Sequence, residues 1–113
     1  MKKNDLYSII ENRRSIYTIG NKEITSKEKI EELVNRAIKN CPTAFNSQTG
    51  RVVILFGNHH KKLWDIVLET LRKVIPTDKF SPTEEKISSF AKGYGTLLFY
   101  EDTKTIKNLQ ENL

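Results

Sequence analysis

The stretch Cys41–Phe56, Cys-Pro-Thr-Ala-Phe-Asn-Ser-Gln-Thr-Gly-Arg-Val-Val-Ile-Leu-Phe, constrains the fold more than any other part of the chain. Cys41-Pro42 must end a helix, because proline cannot continue one and biases the residue before it out of the helical region. Thr43 to Gly50 is a loop of small hydroxyl and amide side chains. Arg51 to Phe56 reads as a buried strand, apolar after its arginine and closed by Gly57. A polar loop that feeds an apolar strand can hold amides and hydroxyls against a ligand while the strand fixes them. Taken alone, the same composition reads as an ordinary helix–loop–strand connection.

The segments around this stretch follow helical and strand periods. Asn4 or Asp5 can cap a first helix that ends near Asn12, with Leu6, Ile9 and Ile10 on one face. Arg13-Arg14-Ser15 follows it. Two guanidiniums and a hydroxyl suit a phosphate, although cations at a helix C-terminus also complement the macrodipole, and on its own the motif favours that plainer role. Ile16 to Ile19 is short and β-prone, and Gly20-Asn21 marks a turn. Thr25-Ser26-Lys27-Glu28 has the spacing of a capping box for a helix to about Asn40, whose buried stripe would be Ile30, Leu33, Val34, Ala37 and Ile38.

Beyond the strand, Asn58 is the expected cap of a helix over His59–Ile75, stopped by Pro76, with Leu63, Trp64, Val67, Leu71 and Val74 along one face. His59-His60 has no Cys or Asp/Glu ligand at a suitable spacing, and adjacent helical residues point about 100° apart. The pair is expected to be a solvated helix start, and Trp64 a core anchor. Thr77 to Phe80 is a linker. Ser81-Pro82-Thr83-Glu84 is a second capping box, for a helix that carries Ile87, Phe90 and Ala91 and ends near Gly93. Gly95 to Tyr100 is a second strand, and Asp102 or Thr103 caps a last helix with Ile106 and Leu109, on which the chain reaches Leu113.

Composition bounds the function. The 113 residues suit one domain. A 37% hydrophobic content is low for so short a chain, so the core is expected to need a ligand, a partner subunit or further sequence for completion. The net charge of +5 and pI near 9.4 permit an anionic ligand. The charges are spread over mixed Lys/Glu helix faces without basic runs, which argues against nucleic-acid binding. One cysteine excludes an internal disulfide. No signal peptide and no membrane-length apolar span is legible, so a cytoplasmic protein is expected. Glycine-rich nucleotide cradles, zinc motifs and paired catalytic carboxylates are missing, so no catalytic side chain and no metal is expected. Any chemistry would be borrowed from a cofactor.

Arg13-Arg14-Ser15 after a short helix, then an amphipathic helix, then Pro42-Thr43-Ala44-Phe45-Asn46-Ser47-Gln48 leading into Arg51–Phe56, resembles the FMN-dependent nitroreductase family. Gly57 to Asp65 and Gly95 to Asp102 continue the match, and the pattern is similar to the fatty-acid-repression-type branch. The resemblance implies an α+β nitroreductase-like fold, with helices around a small mixed sheet, and a homodimer with FMN at its interface. It implies that Arg13, Arg14 and Ser15 of one subunit contact the FMN phosphate and ribityl chain. Pro42, Thr43, Ala44 and Asn46, with Gln48, would contact the flavin from the other. The implied reaction passes electrons from NAD(P)H through FMN to a nitroaromatic, quinone or similar acceptor. Family members are about twice this length, so the chain corresponds to an N-terminal portion and reads as truncated. The alternative is a non-catalytic binding module that kept the scaffold.

Overall fold

The two apolar runs find each other. The structure, a computed structural model, describes residues 5–112. Within them β1 (Gly50–Phe56) and β2 (Gly95–Glu101) form a two-stranded antiparallel ribbon, with Gly50 opposite Glu101 and Phe56 opposite Gly95. The mixed sheet that the resemblance implies is thus, among the described residues, a single antiparallel pair. Gly95 is held to glycine by close approach: a Cβ there would lie 2.9 Å from the Leu55 carbonyl oxygen and 2.9 Å from the Phe56 ring.

Helix α1 (Leu6–Asn12) is capped by Asp5, whose carboxylate accepts the Ser8 N–H at 2.8 Å. The other candidate cap, Asn4, lies outside the described residues, as does Leu113. Ile16–Ile19 forms no strand, and Ile16 and Tyr17 are exposed. β propensity is realised only against a pairing partner, and the ribbon does not extend to this segment.

Helix α2 (Lys27–Asn40) starts one residue later than the capping box suggests. Ser26, not Thr25, accepts the Lys29 N–H, at 3.2 Å. The helix ends at Cys41-Pro42 as expected, the Cys41 N–H closing on the Ala37 carbonyl. Its stripe is only partly covered: Val34 is buried, whereas Leu33 is 68% and Ile38 41% exposed. A ribbon two strands wide cannot roof a fourteen-residue amphipathic helix.

Helix α3 (Gly57–Val74) leaves β1 directly, with Phe56 at the cap position and Asn58 already inside the first turn. Gly57, at φ 56°, makes the change of direction in one residue, which is why no separate capping residue is used. A tight turn at Thr77–Lys79 delivers Phe80 already in a helical conformation, so α4 (Ser81–Ala91) begins behind Phe80 instead of being capped by Ser81. Pro82 sits in its first turn, where a missing N–H costs nothing. Asp102 caps α5 (Thr103–Glu111) through the Lys104 N–H at 3.1 Å.

The core lies where α3 and α4 meet. Phe80 and Ile87 are buried there, the Trp64 and Phe90 rings stand 5.5 Å apart, and the Arg72 guanidinium lies over Phe80. His60 overturns the solvated-start expectation. It is 5% exposed, while His59 faces solvent. His60 Nε2 donates to the Ala91 carbonyl at 2.9 Å, since a carbonyl can only accept. That leaves Nδ1 to accept from the Thr96 hydroxyl at 2.7 Å, and Thr96 Oγ1 in turn accepts the Trp64 indole N–H at 2.9 Å. One polar chain thereby ties α3, α4 and β2 together.

Beyond this core the chain is open. Its radius of gyration is 18.0 Å, against about 13 Å for a compact chain of this length. Its accessible surface is 10062 Å², against about 6,400 Å² for a compact protein of this mass. Much of the surplus is apolar: Leu97, Leu98, Phe99 and Tyr100 of β2 are all exposed, on both faces of the ribbon.

Candidate functional site

The loop after α2 is the most contorted backbone in the described chain. Phe45, Asn46 and Gln48 all adopt left-handed φ values, of 55°, 51° and 53°. Such conformations are costly for residues with a Cβ and persist only where neighbours impose them. The Thr43 carbonyl accepts the Asn46 N–H and the Ala44 carbonyl accepts the Ser47 N–H. The Thr43 hydroxyl accepts the Gln48 N–H at 3.1 Å, and the Gln48 side-chain amide donates to Asn46 Oδ1 at 3.2 Å.

At the far end Arg51 donates to the carbonyls of Gln48 and Gly50, each at 2.9 Å. The Thr49 hydroxyl, 5% exposed, donates to the Glu101 carboxylate, and the Asp102 N–H donates to the Thr49 carbonyl at 2.9 Å. The loop is therefore fastened to the end of the β ribbon.

These elements enclose an open cleft of about 810 Å³. The last turn of α2 forms one wall, the loop another, and β1 and β2 the floor. Pro42, Thr43, Asn46 and Gln48 line it, so four of the residues expected at a flavin stand together. Ala44 does not line it. Arg13, Arg14 and Ser15 do not line it either. They are exposed at the end of α1, where Arg14 donates to the Glu11 and Arg13 carbonyls. Within one chain the phosphate motif and the loop motif are thus separate.

Sequence reasoning missed Arg51, Phe99 and Tyr100 as lining residues. The signal for Arg51 was a cation opening an otherwise apolar run. Phe99 and Tyr100 could be placed only once the register set them opposite Val52 and Arg51. Cys41 also lines the cleft, as an exposed free thiol. A second cavity, of about 640 Å³, lies between Ile19–Asn21, the start of α3 and Lys92–Tyr94.

Residues 10–112 match the Nitroreductase family. The chain belongs to that family. The nitroreductase FRM2 of Saccharomyces cerevisiae is 33% identical over 105 residues, which cover 91% of this chain and 51% of the relative. Among solved structures, nitroreductase CinD from Lactococcus lactis in complex with chloramphenicol superimposes with a TM-score of 0.77 at 38% identity, covering 96% of this chain and 54% of that one. A nitroreductase from Saccharomyces cerevisiae gives a TM-score of 0.72 at 32% identity, over 94% and 57%. The chain spans about half the length of the curated relatives it matches. The α+β nitroreductase fold follows from this membership.

Proposed function

We propose that this nitroreductase-family chain acts as one domain that binds FMN in the loop cleft and moves electrons from NAD(P)H to a small acceptor. The observation that carries the reading is the convergence of Pro42, Thr43, Asn46 and Gln48 on one cleft under a strained backbone. The donor set suits a flavin. The Asn46 amide nitrogen and the Thr43 hydroxyl proton remain available to the heteroatom edge of the ring, because the bonds within the loop use Asn46 Oδ1 and the Thr43 oxygen only as acceptors. Pro42 and Ile38 offer the ring body an apolar wall.

The chemistry the flavin supplies when bound is redox exchange between NAD(P)H and a nitroaromatic, quinone or similar acceptor. The chain's own part is to orient the ring through the loop and to neutralise the phosphate through Arg13 and Arg14, with Ser15 adding a hydroxyl. Because those three residues stand away from the cleft, the reading assigns them to the cleft of a second subunit, in a homodimer with FMN at the interface. Bound chloramphenicol and 4-nitrophenol on the Lactococcus relative support aromatic nitro compounds as acceptors. The cytoplasm, where NAD(P)H is supplied, is the compartment this reading assigns.

The test is an absorption spectrum of the purified protein before and after addition of FMN, followed by size-exclusion chromatography of the same sample. A flavin spectrum that co-elutes with a dimer, with NAD(P)H oxidised in the presence of 4-nitrophenol, is the expected result. A folded protein that ignores FMN would favour the second reading, a non-catalytic module. The observation on that side is that the chain spans about half the length of its relatives.

A further inference from the structure

The geometry points to Arg51 as the positioning residue of the cleft: its guanidinium latches the left-handed Gln48 to the end of the β ribbon and so presents Thr43, Asn46 and Gln48 to the ligand. This rests on the flavin reading only for the identity of that ligand.

Gln48 is a non-glycine residue at φ 53°, so something must hold it there. Both ends of its backbone are held. Its N–H is bound by the Thr43 hydroxyl at 3.1 Å, and its carbonyl by Arg51 Nη1 at 2.9 Å. The same nitrogen reaches the Gly50 carbonyl, while Nη2 stands 3.8 Å from Asp102 Oδ2. Asp102 is itself placed by the loop, since its N–H donates to the Thr49 carbonyl. The result is a closed circuit: Gln48 carbonyl, Arg51, Asp102, Thr49 carbonyl. A planar fork can serve carbonyls with one nitrogen and a carboxylate with the other, whereas a lysine ammonium is a single point and cannot span them. Without the latch, Gln48 would relax toward the extended region and carry its side chain, and its hold on Thr43 and Asn46, out of the cleft.

Arg51 also lines the cleft, so its variants alone would not separate a latch from a direct contact. Asp102 does not line it, and asparagine caps helices as well as aspartate does, so Asp102→Asn weakens the latch without touching the ligand or uncapping α5.

The experiment compares wild type, Arg51→Lys, Arg51→Met and Asp102→Asn by three readouts: hydrogen exchange of the Gln48 amide in the apoprotein, FMN affinity by fluorescence titration, and the visible band shape of added FMN. The expected result is exchange faster by about tenfold or more in both Arg51 variants, as for loss of a hydrogen bond to a charged donor, and a smaller rise in Asp102→Asn. FMN affinity falls in the same order with an altered band shape, while the melting temperature of Arg51→Lys barely moves. Unchanged Gln48 exchange in Arg51→Lys overturns the latch, as does faster exchange with unaltered FMN affinity and spectrum. If Arg51→Met does not fold, Arg51→Lys and Asp102→Asn carry the test. If wild type ignores FMN, the flavin reading fails and Gln48 exchange alone decides the latch.

Discussion

At the scale of single residues, the polar chain Trp64–Thr96–His60–Ala91 sets the sharpest stability prediction. Thr96 is both acceptor for Trp64 and donor to His60. Thr96→Val keeps the shape and leaves the Trp64 indole N–H and His60 Nδ1 unpaired, so unfolding should become easier by about 1–3 kcal/mol in a denaturant titration. Asp102, like Asp5, contributes to the pH behaviour. The Thr105 hydroxyl bond holds its carboxyl below the ordinary value of 3.8, with the Lys104 amide and the Arg51 charge helping. The folded chain therefore binds this proton less tightly than the unfolded chain. The contribution is present above pH 3.8 and is lost as pH falls below it. Thermal melts across the acid range should show that loss, and Asp102→Asn should flatten it. At the phosphate motif, Arg13→Ala should weaken FMN binding by about tenfold or more. Arg36→Ala should not, because Arg36 is a solvated side chain paired with Glu32 at 3.1 Å. Equal effects in a fluorescence titration would remove the phosphate role.

At the scale of elements, the 43–48 loop is strained where α3 and α4 are relaxed. Phe45 is the clearest case, at φ 55° and 74% exposed, so its ring is held in a costly conformation with little burial to offset it. Phe45→Gly should stabilise the apoprotein by up to about 1 kcal/mol, the left-handed penalty less the extra entropy of glycine in the unfolded chain. A loss of stability in chemical denaturation would show that the ring has a partner that one chain does not contain. The helices were legible from their periods, and α2 ends at Cys41-Pro42 as expected. Their first residues were less legible. Whether Thr25 or Ser26 caps, and whether Asn58 caps at all, depends on where the preceding segment delivers the chain.

At the scale of the whole molecule, surface area is the deciding quantity. The chain exposes several thousand square ångströms more than a compact protein of its mass. That surplus exceeds one subunit's share of an obligate interface, about 1,000–2,500 Å². The exposed face of α2 and both faces of β2 belong to it. Sedimentation at micromolar concentration should therefore give a mass above the 13.1 kDa of one chain. A 13.1 kDa species at all concentrations would overturn the interface site. Among the described residues no helix is long and apolar enough to cross a membrane.

Local chemistry fixed what the sequence determined by itself: the helix stop at Pro42, the two apolar strands, the amphipathic helices and the polar loop between α2 and β1. Those follow from backbone sterics and side-chain period, which act within a few residues. Tertiary structure alone decided that β1 pairs antiparallel with β2 across two intervening helices, and that His60 turns inward while His59 does not. It also decided that Arg51 closes a circuit with Asp102. Each of these depends on groups far apart in sequence, and no local period carries information about which distant group arrives.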